Sequence, residues 1–199
     1  MDRDKKKNEI FQAALKVFAR FGYQKTTVDD VASEAGMTKG NVYFYVSSKR
    51  DLYEKTVSSA LQKWRDTVGE AVAQVDDVVE KFSIMASLSF EYLVGQEELR
   101  SILTMDQSIF SLTPREDRFY EINLGAMQLI KDILKQGIKE GRFWSVDVDP
   151  TAELLFSIYI MFLIKRYVKS EGVSAARMYE EGMTIILRGL CATPPACLA

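Results

Sequence analysis

The sequence predicts an all-α protein. Apolar residues recur at three- and four-residue spacing along most of the chain, and none of the four prolines interrupts such a stretch. No segment alternates apolar and polar residues for long enough to form a strand. Helices are expected at 6–21, 28–35, 39–45, 48–69, 76–94, 97–110, 114–140, 150–169 and 174–189. Within the class we expect an N-terminal three-helix helix-turn-helix domain over 1–50. A larger helical regulatory and dimerisation domain should follow over 51–190, with a disordered tail over 191–199.

The first helix carries Ile10, Ala13, Ala14, Val17, Phe18 and Phe21 on one stripe, and Gly22 should end it. Thr27 with Asp30 forms a capping box ahead of Val28, Val31, Ala32 and Ala35. Gly36 supplies a sharp turn, Thr38 caps the next helix, and Val42 points inward. A small residue at the crossing, a glycine at the turn and a branched apolar residue seating the second helix are what a helix-turn-helix requires. The second helix then crowds Thr38, Lys39, Gly40, Asn41, Tyr43, Phe44 and Tyr45 into eight residues. Aromatics on so short a helix suit a nucleic-acid surface, where tyrosine hydroxyls bond phosphates and apolar edges meet thymine methyls. Tyr45 is expected to lie partly in the core. The helix beginning at Ser48 and Lys49 offers N-terminal amides to a phosphate.

Further along, Thr113-Pro114-Arg115-Glu116 and Asp149-Pro150 look like helix starts, and Gly141 and Gly172 like stops. Helix 76–94 has apolar residues on more than one face and should be central. Helix 150–169 is apolar almost all round, which demands cover on every side. We therefore expect it to meet a second subunit together with helix 174–189, as a four-helix isologous interface. A small hydrophobic effector would sit among Phe82, Met85, Tyr92, Leu103, Phe110, Tyr120, Tyr159 and Phe162. Glu91, Arg100, Asp106, Arg118 and Arg166 are candidates to hold one charged group on it.

Composition narrows the function classes. The chain has 199 residues and no histidine, so Ser-His-Asp and Cys-His triads and imidazole metal sites cannot be built. An enzyme is not expected, nor a cofactor or metal. Cys191 and Cys197 are the only cysteines and make no disulfide framework. The first 50 residues hold ten basic against six acidic side chains, whereas the remainder holds 16 against 22. A basic end on an acidic body suits a DNA reader joined to a domain with another partner. The N-terminus has no signal-like apolar segment, and no apolar run is long enough to span a bilayer, so a cytoplasmic location is expected.

The segment 10–53 resembles the TetR (tetracycline-repressor-like) family. The matching residues are Ala13, Ala14, Val17, Phe18, Gly22 and Tyr23; then Thr26, Thr27, Val28, Val31, Ala32, Ala35 and Gly36; then Lys39, Gly40, Asn41, Val42, Tyr43, Tyr45, Val46, Ser48, Lys49, Asp51 and Leu52. At 44–46 the chain has Phe-Tyr-Val where the family often has Tyr/His-Tyr/His-Phe. The resemblance implies a dimeric repressor with a recognition helix in the major groove of a palindromic operator. It implies phosphate contacts from Thr27, Tyr43 and Lys49, and base-edge contacts from Lys39, Gly40 and Asn41. Release by a small apolar effector is the expected regulation. The alternative is a DNA-binding protein of the same fold without a sensor.

Overall fold

The computed structural model describes residues 2–110, 118–169 and 172–192. Among them are nine α-helices: α1 (Asp2–Lys25), α2 (Val28–Glu34), α3 (Lys39–Tyr43), α4 (Lys49–Ala73), α5 (Val78–Glu91), α6 (Glu97–Met105), α7 (Tyr120–Lys139), α8 (Val148–Leu163) and α9 (Gly172–Leu190). The β-structure among the described residues is one antiparallel bridge, Phe143 to Cys191. The all-α expectation holds.

The helices form two compact units, one of Met1–Lys63 with Leu93–Ile109 and one of Trp64–Tyr92 with Phe110–Ala199. The unit carrying the helix-turn-helix is thus larger than residues 1–50. It takes in the first part of α4 and all of α6, because α6 is too short to bury its own apolar face. Leu99, Ile102 and Leu103 are fully buried, α6 packs on α1, and the Ser101 hydroxyl donates to the Ala19 carbonyl at 2.9 Å.

In this first unit α1 buries Ile10, Ala14, Val17 and Phe18. Gly22, at φ 75° and ψ 165°, breaks the helix where the sequence predicts, and one more turn follows to Lys25. Thr27 makes the expected capping box with Asp30, Gly36 takes φ 63°, and Ala32 and Val42 are buried at the crossing. Phe18 meets Tyr53 edge-on at 5.0 Å, and the Tyr53 hydroxyl donates to Asp106 at 2.9 Å.

In the second unit Asp77 caps α5 by accepting from the amides of Val79 and Glu80, both at 3.0 Å. Past Glu91 the chain tightens into a 3-10 turn over Tyr92–Gly95, which leaves the last α5 carbonyls without helical partners. Tyrosine hydroxyls fill two of these places: Tyr159 donates to Ser89 at 3.2 Å and Tyr167 to Phe90 at 3.0 Å. A third, from Tyr179, donates to the Ala86 carbonyl at 2.8 Å. Trp64 stacks on Tyr92 with centroids 5.4 Å apart.

Several expected boundaries move. The α8 helix starts at Val148 with Asp147 at its N-cap, so Pro150 is the third helical residue rather than the first. A proline still fits there, because the first-turn amides have no helical acceptor. After Leu163 the helix widens into one π-turn, Ile164–Val168, which lets Arg166 and Tyr167 reach back to the end of α5. Gly172 is the first residue of α9 and not a stop, whereas Gly141 does end α7, at φ 68°. The capping box at 113–116 and Cys197 lie outside the described residues. The tail does not begin at 191: Cys191 is buried, and Ala192 donates its amide to the Arg142 carbonyl at 2.9 Å.

Candidate nucleic-acid interface and effector groove

The α3 surface is assembled by three local devices. Thr38 accepts the Asn41 amide at 3.3 Å and starts the helix, Gly36 sets the turn before it, and Val42 anchors it from beneath with no exposure. Thr38, Lys39, Gly40 and Asn41 are left exposed. Tyr43 is 44% exposed and Phe44 is 80% exposed, while Tyr45 is half-buried. A phenylalanine this exposed leaves apolar area in water, which a partner would recover.

Two lysines are less free than their sequence positions suggest. Lys39 donates to Asp29 of α2 at 2.6 Å, and that hydrogen bond, followed by the carboxylate charge, raises the ammonium's pKa. Lys49 donates to the Thr26 and Gln24 carbonyls at 3.0 and 3.3 Å and sits 4.5 Å over the Tyr23 ring. An ammonium has three donors, so Lys49 keeps one for an outside oxygen. The sequence suggests only a phosphate contact for Lys49; the structure adds the satisfaction of carbonyls at the end of α1 and just beyond it. Thr27 is exposed but engaged in its capping box, where the hydroxyl donates to Asp30 at 2.7 Å. That hydrogen bond, with the Thr27 amide, holds the Asp30 carboxyl below the usual range.

In the second unit a groove of about 190 Å³ opens between α5 and α9. Phe82, Ala86, Phe90, Tyr179, Met183 and Leu187 give it an apolar floor, and Ser83, Ser87, Thr184, Glu91 and Glu180 also line it. Phe90 and Tyr179 stack at 4.0 Å along it. Burial pushes the Tyr179 phenol well above its usual range, so it stays a neutral donor to the Ala86 carbonyl.

Residues 10–56 match the family of bacterial regulatory proteins described as the tetR family. The helix-turn-helix segment of this chain is thus of the tetR type. Over more of its length the chain is similar to the fatty acid metabolism regulator protein of Bacillus subtilis (strain 168). It is 25% identical over 149 residues, covering 74% of this chain and 76% of that protein. The transcriptional repressor KstR2 of Mycolicibacterium smegmatis is 25% identical over 186 residues, covering 93% and 90%. The fold is shared with the crystal structure of the regulator FadR from Bacillus subtilis in complex with stearoyl-CoA. That comparison has a TM-score of 0.76 at 21% identity and covers 91% of this chain and 97% of that one.

Of the eight effector-contact residues expected from the sequence, this groove takes only Phe82. Leu103 belongs to the other unit, buried in α6. Tyr92 and Tyr159 pack around Trp64, and Phe162 meets Tyr179 edge-on at 5.3 Å. Met85 is buried, Phe110 half-buried, and Tyr120 is 40% exposed. The groove's remaining apolar lining comes largely from α9: Tyr179, Met183 and Leu187, at spacings of four. That spacing marks a buried face, but only the tertiary pairing with α5 shows what it borders. Of the charged candidates Glu91 lines the groove, and the other four make contacts of their own. Arg166 pairs with Glu91 at 2.6 Å, Arg100 donates to the Leu93 and Val94 carbonyls, and Asp106 accepts from Tyr53. Arg118 lies 5.5 Å over Phe119.

Proposed function

We propose that this TetR-family regulator is an effector-released repressor that binds a palindromic operator as a dimer. The observation that carries the reading is α3. It is a capped, anchored helix whose outer face presents Lys39, Gly40, Asn41, Tyr43 and Phe44 to solvent. Lys39 and Asn41 carry the chemistry for guanine and adenine edges respectively. Gly40 allows close backbone approach, and Phe44 suits a thymine methyl. Thr27, Thr38, Tyr43, Tyr45 and Lys49 supply hydroxyls and an ammonium for phosphates, which set register without reading sequence.

Two further observations support the rest. Leu154 and Met161 on α8 are 59% and 45% exposed, and Met178 and Ile185 on α9 are 46% and 70% exposed. Each pair is seven residues apart, so each helix shows one apolar stripe that a second copy would cover. The apolar groove between α5 and α9 suits an effector with an apolar body, and the stearoyl-CoA complex of a protein of this fold favours an acyl thioester. An occupant would press on Tyr179 and Phe90, loosen the end of α5, and act through the covalent turn into α6. The result is a population shift between DNA-competent and released dimers.

Binding-site selection from random DNA, followed by anisotropy titration of the selected duplex with and without stearoyl-CoA, tests this. We expect a palindrome, a half-site spacing of about one helical turn, and weaker binding with the acyl-CoA. No selected sequence would sink the repressor reading; a palindrome bound equally with and without acyl-CoAs would leave the reader and remove this effector class.

A further inference from the structure

Lysine is a poor reader of bases when left alone. Its ammonium rides on a flexible four-carbon stem, is strongly hydrated, and is drawn to any nearby phosphate. Here Lys39 is not left alone. Its ammonium is 2.6 Å from the Asp29 carboxylate, reaching across the turn from the first helical position of α3 to the second position of α2. Both side chains are open to solvent, at 51% and 60% exposure, so the pair adds little to fold stability. Its position beside the exposed α3 face gives it a different use.

We propose that Asp29 is a specificity-determining positioning residue, which tethers Lys39 so that it reads a base edge rather than a phosphate. One ammonium donor is committed to the carboxylate, and two remain. Guanine presents two acceptors in the major groove, O6 and N7. The carboxylate also repels phosphate oxygens, closing the competing route for the ammonium. Once Lys39 is on guanine, the free lone pairs of Asp29 suit the N4 amino group of a paired cytosine. The inference rests on the reading of α3 as the operator-facing helix.

The test is D29N beside the wild type and D29E, each taken through binding-site selection and a salt titration on the selected operator. The expected result for D29N is unchanged thermal stability and equal or higher affinity for random DNA. Preference at one G·C position in each half-site should fall on the order of tenfold. The salt slope should steepen by about one per half-site as Lys39 moves to a phosphate. D29E keeps the carboxylate and should keep the preference. If D29N raises affinity for all sequences alike with every base preference retained, the pair is only a surface ion pair and the inference falls. A wild type that selects no sequence would overturn the operator-facing reading itself, and the wild-type arm alone reports that.

Discussion

Gly40 is a glycine that its own fold does not require. Its φ is not among the positive ones, and a Cβ built there meets only the Thr38 hydroxyl oxygen at 3.8 Å, an ordinary contact. Glycine in a helix costs about 1 kcal/mol relative to alanine, so the position gives up stability for nothing internal. We expect Gly40→Ala to keep or raise the melting temperature while weakening operator affinity at least roughly tenfold, about 1.4 kcal/mol. Calorimetry and anisotropy on one preparation would check both halves; unchanged affinity would remove close backbone approach from the account. Lys49 makes the opposite case. Lys49→Ala leaves the Thr26 and Gln24 carbonyls without their ammonium, so a stability loss of about 1 kcal/mol should accompany weaker binding to all DNA sequences. Its salt slope should also be lower by about one. Urea unfolding separates the two effects, and a variant of wild-type stability would show that the carbonyl contacts contribute nothing.

At the scale of an element, α5 is defined by its two ends. Its start depends on Asp77, whose carboxyl is held below the ordinary range by the Glu80 amide and then by Arg142 at 2.7 Å, against the opposing effect of partial burial. A lowered carboxylate value in the folded state means that its stabilisation is full above the ordinary carboxylate range. It is lost as pH falls through that range to the native value. Asp77→Asn keeps a capping oxygen but loses the charge at the helix start and beside Arg142, and should cost about 0.5 kcal/mol at neutral pH. The gap between wild type and variant should close in acid, as read from urea midpoints across a pH series. A gap that stayed constant with pH would mean that the carboxylate charge is not what caps the helix. The other end depends on tyrosine hydroxyls from α8, the π-turn and α9, so groups distant in sequence decide how α5 finishes.

At the scale of the whole molecule, the apolar excess of 150–169 is only partly absorbed inside the chain. Leu155, Phe156, Phe162 and Leu163 are buried, whereas Leu154 and Met161 are not. Ile185 on α9 is the more exposed of that helix's stripe, at 70%. We expect Ile185→Asp to shift sedimentation velocity from dimer to monomer and to lower operator affinity steeply, because two linked half-sites bind far more tightly than one. A variant that still sediments as a dimer would place the interface elsewhere.

The helix-turn-helix was legible because every signal for it is local. Thr27 with Asp30, Gly36, Thr38 and Val42 act within a few residues of one another, and a capping hydroxyl or a positive φ needs no distant partner. The all-α class was legible for the same reason, since period and proline placement are properties of short windows. Long-range packing decided the remainder. It drew α6 into the unit of α1, turned Lys49 towards the carbonyls of Thr26 and Gln24, paired Lys39 with Asp29, and set α9 beside α5 to leave a groove. An apolar stripe states that a helix face must be covered; which neighbour covers it is settled by competition among all the faces at once, and that competition exists only in the folded chain.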